Sequence, residues 1–287
     1  MGPRWLRLLA ICCGPLGAGL AAQSPGASDD LRTVLERVGA SVERYFARAQ
    51  SIVCLETVTV QFLGRDLAPG SAFARRLQYE TRMGWDATGD GAVPEPTTRR
   101  ELIKVGNRPP GPKDKPRCFD PKGGSPEPLA MLLPANQQTF SFSSDGRGRV
   151  NDRQALRLAY KSLQTGPITS KTSGPDCWTV ETPGRERGRF WIDVETGEIL
   201  RHDTWLEGLI EVDIPNTRGH VGFHATFERV ESTTTYRPMV FADPAETIML
   251  PHSAELLQVM RDAENVRVRH VFSDYRRFLT SGRIIQD

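Results

Sequence analysis

The sequence predicts an α+β fold dominated by strands, in which one long N-terminal amphipathic helix, with short helices after it, covers an antiparallel sheet. Three observations predict it. Only one long stretch, from about Asp30 to Gln50, carries helical periodicity. Much of the remainder alternates β-branched and aromatic residues with polar ones, in short runs bounded by Gly, Pro, Asn and Asp. No βαβ alternation occurs, so successive strands pair antiparallel.

The first 22 residues have the pattern of a secretory leader. Arg4 and Arg7 give a positive start, Leu8 to Leu20 an apolar core, and Ala21-Ala22 a small-residue cleavage site. Cys12 and Cys13 lie inside that core and neither follows a small residue, which argues against a lipid anchor. No later apolar run is long enough to span a bilayer. Of 37 basic and 35 acidic residues, two arginines fall in the leader, so residues 23–287 are balanced. That excludes the basic excess by which proteins hold nucleic acid or an anionic membrane. Residues 23–287 read as a single domain.

Asp29 is placed to cap the helix, and Leu31, Val34, Leu35, Val38, Val42, Tyr45 and Phe46 form its apolar stripe. Ile52–Leu63 is an alternating strand with Val58, Val60 and Phe62 on one face. Strands follow at about 72–86 and 100–105. Residues 107–127 are rich in Pro, Gly and Lys, too long for a plain connection, and are either a mobile flap or a cysteine-pinned excursion. Leu129-Ala130-Met131-Leu132-Leu133 is one helical turn, which plugs the core or acts as a lid. Further strands are expected at 139–143, 154–161, 165–175 and 177–181, with Ser144-Asp145-Gly146-Arg147-Gly148 as a turn between the first two. Others lie near 223–231, 233–241, 255–261 and 265–272. In the last, Val266, Val268, His270 and Phe272 share one face.

The most legible segment is the hairpin from Gly188 to Leu206. Glu195-Thr196-Gly197 forms its loop, with Gly197 supplying the left-handed position. The loop sets Val194 opposite Glu198, Ile192 opposite Leu200 and Phe190 opposite His202. The other face then carries Trp191 against Arg201 and an Arg189–Asp203 ion pair. Of the three cysteines after the leader, Cys118 and Cys177 sit in Pro/Gly-rich connections and are the favoured disulfide, leaving Cys54 buried in its strand.

No catalytic motif is present. His220 and His224 have a helical metal-ligand spacing, but on a strand they stand about 13 Å apart, too far to share zinc. His202 faces Phe190 and reads as a hydrogen-bonded core residue. The Asp193/Glu195 pair is placed on a solvated face beside a turn. No serine sits in a nucleophile elbow, and no glycine-rich turn opens a helix to cradle phosphate. Neither a cofactor nor a metal is implied.

The hairpin Phe190-Trp191-Ile192-Asp193 … Thr196-Gly197-Glu198-Ile199-Leu200-Arg201 resembles the bacterial lipoprotein-carrier superfamily, which includes the outer-membrane lipoprotein sorting proteins. There, an aromatic and aliphatic strand ends in Asp, passes a Thr-Gly turn and returns through an apolar residue and Arg. Val268-Arg269-His270-Val271-Phe272-Ser273-Asp274-Tyr275-Arg276 is similar to that family's closing strand. The resemblance implies a curved, unclosed half-barrel with helices on its concave side and a cavity between them. It also implies an exported, periplasmic, non-catalytic carrier of an acyl chain, lipid or hydrophobic segment. Val38, Phe46, Val60, Leu132, Phe190, Ile192 and Leu200 are the expected cavity lining. An interaction or sensor module gripping an envelope protein is the alternative, and a hydrolase of unrecognised type a third.

Overall fold

The structure is a computed structural model that describes residues 30–49, 52–86, 95–121, 128–174, 177–216, 221–261 and 263–277. The leader, including Cys12 and Cys13, lies outside these residues.

Helix α1 (Leu31–Arg48) is capped by Asp30, whose carboxylate accepts from Arg32 N; the expected cap, Asp29, falls just outside the described residues. Val34, Val38, Val42 and Phe46 are buried on one side, as their spacing dictates. A single turn of 3-10 helix (Pro128–Leu132) brings Leu129, Met131, Leu132 and Leu133 into the same core. Gly39 allows the close approach: a Cβ there would meet Leu132 O at 3.3 Å. This segment therefore plugs the core.

Thirteen strands follow among the described residues: β1 (Ile52–Leu63), β2 (Arg75–Asp86), β3 (Glu95–Val105), β4 (Phe140–Val150), β5 (Arg153–Ser162), β6 (Thr169–Gly174), β7 (Cys177–Glu181), β8 (Glu186–Asp193), β9 (Ile199–Leu206), β10 (Ile210–Ile214), β11 (Phe223–Ala242), β12 (Ala245–Met260) and β13 (Asn265–Arg277). Ten run side by side in the order β3-β2-β1-β13-β12-β11-β9-β8-β5-β4. The pairing is antiparallel throughout. β10 adds to one end of β11, and β6 pairs with β7 separately.

The sheet is strongly curved and unclosed. Laid flat, β2 and β5 would stand about 34 Å apart at ordinary strand spacing. Yet Met83 from β2 and Leu156, Leu158 and Tyr160 from β5 belong to one cluster around α1. The sheet wraps the helix, and its first and last strands, β3 and β4, do not meet.

Two turn expectations are corrected. Ser144–Gly148 is no turn but a bulge inside β4, with Gly146 at φ +78°. A Cβ at Gly148 would lie 2.6 Å from the Trp191 ring, so the strand is glycine there for space. The chain reverses instead at Asn151, where φ is +53°. Likewise the break expected near Ser232 is absent, because β11 runs through it as one twenty-residue strand.

In the β8–β9 hairpin, Phe190 opposes His202, Trp191 opposes Arg201 and Arg189 opposes Asp203, as expected. A bulge after Trp191 then sets Ile192 opposite Ile199 rather than Leu200. Gly197 has φ +73°. Asp193 is buried, not solvated: one oxygen accepts from Glu195 N and Thr196 N, and the other from Arg153 Nε at 2.8 Å. The expected Arg189–Asp203 ion pair is also redistributed. Arg189 reaches Asp145 at 2.5 Å, while Asp203 accepts from the Trp191 indole, Arg201 and Thr233. The Trp191 ring lies 5.8 Å from the Arg201 guanidinium, the cation–π contact that the spacing predicts.

Candidate site on the concave face

Alternation sends one set of side chains from the strands of the main sheet to its concave face, and α1 covers only part of that face. Phe190, Ile192 and Leu200 lie beneath it and pack with its own Val38 and Phe46 and with Leu132 in one cluster, each at most 3 % exposed. Val60 packs in a second cluster with Val58, Leu77, Tyr79, Val266 and Val268. The seven residues expected to line a cavity are thus core here, and none lines the open part of the face.

That open part begins where β9 and β11 emerge from under the helix. His202 opposes Thr234 and Thr204 opposes Ser232, so all four share the concave face. Leu256 opposes Ser232 from β12. With Glu186, these residues line a cavity of about 380 Å³. Leu206 and Val230 line it too, and they also line a second cavity of about 420 Å³. The second cavity is walled by Phe62, Phe119, Trp178, Phe223, Phe227 and Met260. The two spaces form a trough along the strands, polar at one end and aromatic at the other.

Five contacts build the aromatic end. The Cys118–Cys177 disulfide, favoured from sequence, joins the excursion after β3 to β7 and sets their next residues, Phe119 and Trp178, on the cavity wall. Arg75 on β2 holds Asp120 through both oxygens at 3.0 and 2.8 Å. Phe119 then meets Phe62 edge-on with ring centroids 6.1 Å apart, and Trp178 meets Phe223 at 5.4 Å. Ser170 donates to Asp213 O at 2.6 Å, tying the β6–β7 pair to β10. The excursion is therefore pinned.

At the polar end the Tyr160 hydroxyl lies 2.9 Å from His202 Nε2, 3.0 Å from Glu186 Oε1 and 3.0 Å from Thr204 Oγ1. Thr204 donates to Arg187 O. The Tyr160 ring covers Gly188, where a Cβ would come within 2.3 Å. Burial pushes the Glu186 carboxyl and the Tyr160 phenol up, and the His202 imidazole down to about 3. His202 is therefore a neutral ring at ordinary pH, stacked on Phe190 at 4.3 Å, as its sequence position suggests. The hydroxyls of Thr204, Ser232 and Thr234 line the same end of the trough.

A second buried polar group lies on the same face. Glu56 is wholly buried and contacts Thr81, Arg100 and His270, each at 2.7 Å. Burial pushes its carboxyl up, but the His270 hydrogen bond and the Arg100 charge outweigh this, and the net shift is down. His270, partnerless in sequence, thus has a partner 214 residues away. Cys54 is buried in β1 as expected. His224 lies 3.0 Å from Asp213 on an exposed edge, and His220 is outside the described residues.

No family model and no curated protein sequence matches the chain. Solved structures do. One is a DUF1329 family protein from Desulfovibrio piger, with 7 % identity, a TM-score of 0.44, and coverage of 88 % of this chain and 95 % of that one. A putative outer membrane lipoprotein-sorting protein domain from Vibrio parahaemolyticus has 11 % identity, a TM-score of 0.37, and coverage of 86 % and 92 %. A LolA superfamily protein from Nitrosomonas europaea has 8 % identity, a TM-score of 0.34, and coverage of 89 % and 97 %. The last two bear the names of the group that the hairpin resembles.

The trough residues escaped the sequence because they come from many separated segments, most of which contribute only a few residues. One signal was available. Cys118-Phe119 and Cys177-Trp178 each place an aromatic directly after a cysteine, so pairing those cysteines brings two aromatics together. Strand β10, Ile-Glu-Val-Asp-Ile, also alternates cleanly, and Ile210, Val212 and Ile214 back the cavity floor.

Proposed function

We propose that the chain is an exported, non-catalytic carrier-like protein that holds an acyl chain, lipid or hydrophobic segment in the trough. The observation that carries this is the aromatic cavity of about 420 Å³ on the concave face. Its volume falls in the ordinary range for ligand sites. Each methylene moved there from water gains about 0.8 kcal/mol, so binding needs no polar motif. The long helix α1, the short helical turns and the seven core residues serve as the rigid backing of the cavity, with residues 23–287 as one domain. The leader pattern and the disulfide support export to an oxidising compartment, the periplasm. Among the described residues no helix is long and apolar enough to cross a membrane.

The neutral apolar fluorophore N-phenyl-1-naphthylamine tests the reading. Saturable, one-to-one enhancement is expected, weakened at least tenfold by Phe223→Arg, which changes a wall residue already 40 % exposed. No enhancement, or equal binding by a folded variant, would count against it.

A further inference from the structure

We infer that the polar end of the trough selects the ligand's head group, taking an acyl chain that ends in an uncharged, hydroxyl-bearing head and discriminating against an anionic one. This rests on the carrier reading and adds the class of lipid.

The first ground is continuity. Thr234 and Val230 are four residues apart on β11, about 13 Å, and Phe227 extends the path to about 20 Å. Leu206 and Val230 belong to both cavities, so one molecule can reach from the polar end to the aromatic end.

The second ground is unmet hydrogen bonding. Thr204 is engaged by Tyr160 and Arg187, but the hydroxyls of Ser232 and Thr234 have no hydrogen-bond partner among the described residues. Thr234 is only 4 % exposed and lines the cavity. Neither hydroxyl oxygen is sealed from the cavity, so each can bond a molecule that enters it. Two that stand side by side, each able to donate and accept, match a head that does both, which is the property of hydroxyl groups.

The third ground is charge. The lining contains Glu186 and Glu231 and no lysine or arginine. His202, the remaining titratable group, is kept neutral by burial. A carboxylate or phosphate placed there would lose its water without gaining a counter-charge.

Displacement of the naphthylamine probe at pH 7.5 by three amphiphiles with sixteen-carbon chains tests this: 1-monopalmitoylglycerol, palmitate and hexadecyltrimethylammonium. Monopalmitoylglycerol is expected to compete at least tenfold more tightly than palmitate. Replacing the two hydroxyls in Ser232→Ala/Thr234→Val should cut that preference below threefold, each competitor being compared within the same protein so that any change in probe affinity cancels. Palmitate competing equally well, the ammonium head competing best, or a preference that survives the double variant would overturn the inference and leave the carrier reading standing. Failure of the probe itself to bind would overturn both.

Discussion

His202 is the residue whose burial has the clearest consequence in solution. Its imidazole is pushed from the usual 6.5 down to about 3 by desolvation. Between those values the unfolded chain binds a proton that the folded chain refuses. Stability therefore falls as pH falls through that window, by up to ~1.4 kcal/mol per pH unit from this group. Glu186 acts in the opposite sense. Burial raises its carboxyl, so the folded chain keeps a proton that the unfolded chain has lost, and that contribution disappears as pH rises. Urea denaturation of the native protein and His202→Leu at pH 7 and pH 4.5 separates the two. The native protein should lose more stability on acidification than the variant; equal losses would contradict the assignment. The facing of His202 on Phe190 was legible because a hairpin fixes it locally. The Glu56–His270 contact was not, because only the closing pairing of β1 with β13 brings those residues together.

Among the elements, β1 and β7 have the bounds that their sequences predict, and most of the β8–β9 register holds. The errors share a cause. A bulge and a turn use the same glycine and aspartate chemistry, and only the pairing of β4 with β5 on both sides of Ser144–Gly148 makes it a bulge. One extra residue on β9, Leu200 between Ile199 and Arg201, shifts the rest of that register in the same way. The excursion after β3 presents the element whose removal is most informative. The disulfide closes a sequence separation of 59 residues, and the chain-entropy model values such a closure at about 4 kcal/mol. Cys118→Ser/Cys177→Ser should lose about that much stability in urea denaturation. It should also weaken naphthylamine binding, because Phe119 and Trp178 are no longer held together. A variant that keeps full affinity would show that the disulfide does not shape the wall.

At the scale of the whole molecule, the curl of the sheet decides what is core and what is cavity. The apolar positions of β1, β8, β9 and β13 carry one period along their length, and periodicity does not reveal where α1 ends. Phe190, Ile192 and Leu200 are filled core because the helix lies over them and packs its own Val38 and Phe46, with the neighbouring Leu132, against them. Val230, Leu206 and Phe227, on strands with the same alternation, face the trough because it does not. The fold class was thus readable from pattern and turn chemistry, whereas the opening depends on the placement of one helix and one disulfide. Native mass spectrometry of the full chain, isolated without detergent from its own cells, tests the central claim most directly. One acyl-bearing adduct per chain, lost in Phe223→Arg, is the predicted result. A bare polypeptide mass that gains no adduct from added monopalmitoylglycerol or palmitate would contradict it.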